Sequence, residues 1–226
     1  MSRINVFNQI HKGLRAMLYD TALTLQQTHF ADSDQSDAAV KKVRTTTEII
    51  NAHTAHEDHF IFPAIQEYEP SIVDVFTMEH LKNQTLSEKL VDSLVAHNHA
   101  VKPESKIETG QAIVRAFQEY MVYNLEHMSN EESVLNEILW RYYSDEEIEL
   151  ISKRIVRSRR DDESIVTTSW MMRGLSNTEI SKWLKTVETT ASWQVFAQLY
   201  SIAEKELPND RFRKVLEIFA GESMVA

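Results

Sequence analysis

The sequence predicts an all-α protein: an antiparallel (up-down) four-helix bundle over residues 1–143, with a helical extension of three or four shorter helices over 144–226 packed on it. Three observations predict it. Glycine and proline number only four each in 226 residues, so tight turns are few and the elements are long. Apolar residues recur at steps of three and four rather than two. The breaks between periodic stretches are short and carry cap residues or proline.

The first helix is expected from about Arg3 to Gln27, where Ile4, Phe7, His11, Leu14 and Leu18 share one face. Asp32, Ser33, Asp34 and Ser36 make a polar break with helix-starting side chains. The second helix follows to about Tyr68, with Ile49, Ile50, His53, Glu57, Phe60 and Ile61 inward, and Glu69-Pro70-Ser71 ends it. The third runs from about Ile72 to His97 through Phe76, His80, Leu90 and Leu94. After Lys102-Pro103-Glu104, the fourth covers about Glu108 to Tyr143, with Ile113, Phe117, Tyr120, Asn124, His127, Glu131 and Ile138 at helical steps. Long helices with short links are the pattern of an antiparallel bundle, and no sequence repeat suggests a solenoid. In the extension, Ser144 with Glu147 and Ser176 with Glu179 read as capping boxes. Its basic run, Lys153, Arg154, Arg157, Arg159 and Arg160, reads as a solvated face, with anion binding as the alternative.

The absence of cysteine excludes disulfides, thiolate metal sites and thiol nucleophiles. Any metal must therefore be held by His, Asp or Glu. A net charge of −10 disfavours nucleic acid as the main partner. The first residues do not read as a signal peptide, and no stretch approaches the roughly 18 apolar residues of a membrane span. A cytoplasmic protein with no membrane partner is the expectation.

The chain holds nine histidines, and they are not scattered. His53 and Glu57 stand four apart on the second helix; His127 and Glu131 do so on the fourth. Residues four apart lie one above the other on one face, so each pair offers a nitrogen and a carboxylate to one small volume. His11 and His80 sit on the apolar stripes of the first and third helices. A lone inward histidine is usually a satisfied core residue, and a lone His-x-x-x-Glu is usually a surface hydrogen bond. The joint pattern on four helices is a metal site. Burying these groups uncompensated costs several kcal/mol per charge, and bound cations remove that cost. Mixed imidazole and carboxylate ligation in a helix bundle suits iron.

The pattern resembles the hemerythrin-like, or HHE cation-binding, family. The residues that carry the resemblance are His11, the run His53-Thr54-Ala55-His56-Glu57 followed by Phe62-Pro63, the pair Glu79-His80, and His127-Met128-Ser129-Asn130-Glu131-Glu132. It covers about residues 1–141. It implies two iron ions with an oxo or hydroxo bridge, His11, His53, His80 and His127 as terminal nitrogen ligands, and Glu57 and Glu131 as bridging carboxylates. Oxygen-carrying members place a further histidine one turn from the third-helix one. Here those positions are Phe76 and Gln84. A coordination position is then open to water or a small ligand.

His56 is a replacement ligand, a hydrogen-bond partner of one, or an exposed residue. Tyr120 is either a donor reaching the site or a core tyrosine. His29, His59, His97 and His99 read as surface, and Asp58 and Glu132 as facing away from the site. Phe7, Leu14, Phe60 and Phe76 are expected to line it and to admit small neutral gases. Three functional readings follow. One is a di-iron protein that binds or senses dioxygen, nitric oxide or peroxide. The second is a di-iron enzyme or repair factor that consumes peroxide or nitric oxide or repairs iron centres. The third is a metal- or redox-responsive interaction module whose protein partner meets the C-terminal helices.

Overall fold

A computed structural model describes residues 3–223, and every regular element among them is helical. The order is α1 (Asn8–Gln27), α2 (Ser33–His56), a π-helical turn (Glu57–Ile61), α3 (Phe62–Gln66), α4 (Pro70–His99), α5 (Pro103–Tyr142), α6 (Asp145–Ser158), α7 (Asp161–Gly174), α8 (Asn177–Thr190), α9 (Trp193–Glu206) and α10 (Asn209–Ser223). Among the described residues no helix is long and apolar enough to cross a membrane.

Local chemistry sets the ends. Asp32 accepts from the Gln35 N–H and starts α2. Pro70 and Pro103 each open a helix, where a missing N–H costs nothing. Ser144 with Glu147 and Ser176 with Glu179 form complete capping boxes. The expected second helix is interrupted. Pro63 has no N–H to give to the carbonyl of residue 59, and its ring would crowd that carbonyl. The backbone widens instead, and the Phe62 N–H bonds the Glu57 carbonyl five residues back.

Contacts divide the described residues into two compact units: residues 3–8 with Met17–Arg159, and Gln9–Ala16 with residues 160–223. In the first unit, cross-helix hydrogen bonds fix an antiparallel register between neighbours. Thr21 meets Thr46 at 2.8 Å. Ser36 meets His97 at 2.6 Å while Asn51 meets Ser87 at 3.1 Å, so α2 and α4 run oppositely. His97 meets Thr109 at 2.8 Å while the Tyr123 hydroxyl donates to the Glu79 carbonyl at 2.8 Å, so α4 and α5 do too. Phe7, Ile61, Phe62, Ile65, Phe76, Leu135, Ile138, Leu139, Ile148 and Ile151 form one apolar core. Each such side chain contributes about 1.5–3 kcal/mol on burial. The chain start is strapped to the end of α5: the Trp140 indole donates to the Ile4 carbonyl, and Arg3 to the carbonyls of Trp140 and Tyr143.

In the second unit, Met171, Met172, Leu175, Ile180, Leu184, Phe196, Leu199 and Leu207 are buried. Two glycines permit a close crossing. A Cβ on Gly174 would stand 2.3 Å from the Lys12 carbonyl oxygen, and one on Gly13 would stand 2.9 Å from the Met171 nitrogen. Arg211 donates to the carbonyls of Arg173 and Leu175, which the end of α7 leaves open.

Among the described residues, five short helices follow residue 143, not three or four. They begin at Asp145, Asp161, Asn177, Trp193 and Asn209, one every 16 residues. The break at Arg159 and Arg160 has no turn-forming residue to announce it. Its only sequence sign is the acidic first turn of α7, Asp161, Asp162 and Glu163.

Candidate metal centre

Helix periodicity brings the ligand-type residues together. On α5, Asn124, His127 and Glu131 are buried at successive turns of one face. On α4, Phe76, His80 and Asn83 do the same. One ligand atom from each of Glu57, His80, His127 and Glu131 lies within 4.8 Å of the others, and all four residues are buried. The same spacing holds among His53, Glu57 and Glu131. Both glutamates thus belong to both sets.

The Nε2 atoms point at the carboxylates. His53 Nε2 is 3.0 Å from Glu57 Oε1, and His80 Nε2 is 3.8 Å from Glu57 Oε2. His127 Nε2 is 3.2 Å and His80 Nε2 3.6 Å from Glu131 Oε1. The buried Nε2 atoms of His80 and His127 make no hydrogen bond. A cation with ligands at about 2.1 Å sets neighbouring ligand atoms about 3 Å apart. This donor set of imidazoles and carboxylates therefore fits a metal.

Electrostatics agree. Burial lowers the His80 imidazole, but its hydrogen bond to Asp58 and the nearby carboxylates of Glu131 and Glu57 outweigh this and raise it to about 10. His127 is also raised: burial opposes this, and Glu131 and Glu79 prevail. Burial and Glu57 push the Glu131 carboxyl up, but His127 and His80 hold it below the usual range. Protonated histidines supply the positive charge that buried carboxylates require, and a bound cation would replace those protons.

His11 is fully buried on α1. His56 is half-buried with its ring 6.4 Å from Phe60, and among the described residues it belongs to none of the ligand clusters. The Tyr120 hydroxyl is buried and makes no hydrogen bond; burial pushes it upward. Phe76 is buried, and Gln84 is exposed and donates to Glu88, so neither adds a ligand from α4.

Three expectations are corrected. Asp58 does not face away: its Oδ1 is 2.7 Å from His80 Nδ1. The π-helical turn advances residues 57–61 by more than 3.6 per turn, so a strict α-helical wheel misplaces it. For the same reason Phe62, rather than Phe60, stacks on the His80 ring, at 4.8 Å and 16°. Phe60 is half-buried and lines an outer cleft of about 430 Å³ with His59, Pro63 and Arg154. His97 is not a surface residue. It lies seven positions beyond Leu90 on the buried face of α4, between Ser36 and Thr109. His29, His59 and His99 are exposed. The basic run is largely solvated, with Lys153 paired to Glu149 and Arg160 to Asp162.

Glu79 also acts at the site: its Oε2 lies 2.6 Å from His127 Nδ1. Below the ligands, Asn124 donates to Asn83 at 2.9 Å, a buried polar layer that joins α4 and α5. Neither role was visible in spacing, because spacing along one helix does not show which residue faces it across a gap.

The family model of the hemerythrin HHE cation-binding domain matches residues 2–139. F-box/LRR-repeat protein 5 of Mus musculus is 23% identical over 178 residues, 76% of this chain and 24% of that protein. Its counterpart of the same name in Salmo salar is 20% identical over 174 residues, with the same coverage. The chain spans about a quarter of the length of these curated relatives. No solved structure matches it significantly.

Proposed function

The chain belongs to the hemerythrin HHE cation-binding domain family, and from that premise we propose that it is a non-haem di-iron protein that binds or senses dioxygen, nitric oxide or peroxide at a coordination position left open by its own side chains. The four long helices α1, α2, α4 and α5 form the up-down bundle around the metals. His11, His53, His80 and His127 would hold the metals through nitrogen, and Glu57 and Glu131 through their carboxylates. The observation that carries this reading is the buried cluster of Glu57, His80, His127 and Glu131, with ligand atoms within 4.8 Å. Both glutamates also lie within that distance of His53, as two-ion bridging requires.

The case for His11 is its register. α1 is one unbroken helix, and residues 7, 11, 14, 18 and 21 follow one face of it. Phe7 joins the core with Phe62 and Phe76, and Thr21 bonds Thr46. Bound iron supplies the site for the exogenous ligand. The protein's residues hold the nitrogens and carboxylates in place, keep out bulk water with Phe62 and Phe76, and leave the position beside His80 without a further side-chain ligand.

The test is metal content and optical spectra before and after air, peroxide and nitric oxide. About two irons per chain, with bands that change on ligand addition, is the expected outcome. One metal or none in a folded chain overturns the reading. A metal-responsive interaction module is the second reading. It is favoured by the relatives' make-up: their names specify F-box and leucine-rich-repeat parts, and this chain aligns with a quarter of each. Ligand-dependent turnover of peroxide or nitric oxide would favour an enzyme over both.

A further inference from the structure

The two cross-helix carboxylates are the groups the ligand pattern leaves unexplained. Asp58, on the π-helical turn, meets His80 Nδ1 on α4 at 2.7 Å. Glu79, next to His80 on α4, meets His127 Nδ1 on α5 at 2.6 Å. An ionised carboxylate only accepts hydrogen bonds, so each Nδ1 must carry the proton. In the neutral ring this leaves the lone pair on Nε2, the atom that faces Glu57 and Glu131. Ring orientation is fixed by the same contacts. Phe62 stacks on one face of His80, and Tyr123 lies parallel to the His127 ring at 6.3 Å. The Tyr123 hydroxyl in turn donates to the Glu79 carbonyl.

We propose that Asp58 and Glu79 are positioning residues that hold His80 and His127 as Nε2 donors and strengthen the metal position those two histidines serve. This rests on the metal-binding reading above. The arrangement works in series. The π-helical turn delivers a carboxylate to a ligand on α4, and the residue beside that ligand delivers a carboxylate to one on α5. Hydrogen bonding of this kind makes an imidazole a better donor, and its loss weakens metal binding by about 10–100-fold. The dipeptide Glu79-His80 therefore supplies one ligand and orients another.

The test titrates the full-length protein with cobalt(II) against a competing chelator, following the visible spectrum. Asp58→Ala and Glu79→Ala are expected to weaken the affected binding step by about 100-fold, and Asp58→Asn and Glu79→Gln, which keep an acceptor but lose the charge, by about 10-fold. Glu88→Gln, on the exposed face of α4, is expected to match wild type. Nitrogen NMR of the zinc-loaded protein gives the residue-specific readout. Asp58→Ala is expected to remove the Nδ1-proton signal of His80 alone, and Glu79→Ala that of His127 alone. If the alanine variants do not fold, the amide variants carry the test, since they keep the side-chain shape. Cobalt binding within twofold of wild type in the folded variants overturns the proposal and leaves the metal reading intact. A wild-type protein that binds no cobalt overturns both.

Discussion

At the scale of single residues, the site is a balance of charge that protons or a cation can satisfy. His80 is raised to about 10 in the metal-free protein, against about 6.5 in an unfolded chain. The folded state therefore binds the extra proton. Its contribution to stability is fully present below about pH 6.5 and is lost as pH rises towards about 10. Melting temperatures of metal-free protein should fall across that window, and Glu131→Gln should flatten the fall. Metal binding must displace these protons, so affinity should rise with pH and calorimetry near pH 7 should show a heat that depends on the buffer's ionisation enthalpy. His97 has the opposite sign. Burial and Lys106 lower it, so the stability it allows is present above about pH 6.5 and is lost as pH falls below that. Wild type should lose stability on acidification more steeply than His97→Gln; equal slopes in the two proteins would show that His97 titrates as in the unfolded chain. The cluster of His and Glu side chains was legible at this scale because His53 with Glu57 and His127 with Glu131 lie one helical turn apart. Asp58, Phe62 and the inward side of His97 were not. The first two depend on a backbone that leaves 3.6 residues per turn, and the third on a helix that continues to His99, two residues beyond the expected end.

At the scale of elements, Pro63 is the residue that turns a helix into a device. By removing one N–H it makes the π-helical turn affordable, and that turn aims Asp58 at His80. Pro63→Ala restores the donor and allows a regular helix. Metal affinity should then fall by about 10-fold while the metal-free protein melts no lower than wild type. A drop in both together would mean that the proline is needed for packing rather than for aim. Phe62-Pro63 was visible in the sequence as part of a resemblance, but its mechanical role was not, since a π-helical turn has no periodicity of its own. The crossing at Gly174 is a second element-scale feature. With 2.3 Å between a would-be Cβ and the Lys12 carbonyl, Gly174→Ala must push backbone from backbone, at a cost of about 1–3 kcal/mol. Denaturant unfolding measures this directly, and a neutral variant would rule out so close a crossing. Nothing in the sequence marked that glycine as different from one at a helix end.

At the scale of the whole molecule, composition was the better guide to class than to layout. Four glycines, four prolines and no cysteine in 226 residues left helices and a His/Glu site as the open choices. The same composition did not reveal that the last five helices begin every 16 residues. Corresponding positions Ile148, Ile180 and Phe196 are buried and apolar, while Ser164 breaks the pattern in α7, and the serine N-caps Ser144, Ser176 and Ser192 are likewise missing there. The metal site bears on the stability of the fold that holds it. Glu57 and Glu131 are almost wholly buried in a chain of net charge −10, so the folded state is the only one that gathers ligands for a cation. A cation that binds the folded chain alone adds stability that grows with free metal, about 2.7 kcal/mol at about 100 times Kd. Removing metal with a chelator should therefore lower the melting temperature of wild type, and returning iron(II) should restore it. In Glu57→Ala with Glu131→Ala the melting temperature should not respond to metal, whatever its starting value after the loss of two buried charges. Equal responses in wild type and the double variant would place the stabilising cation somewhere other than this cluster.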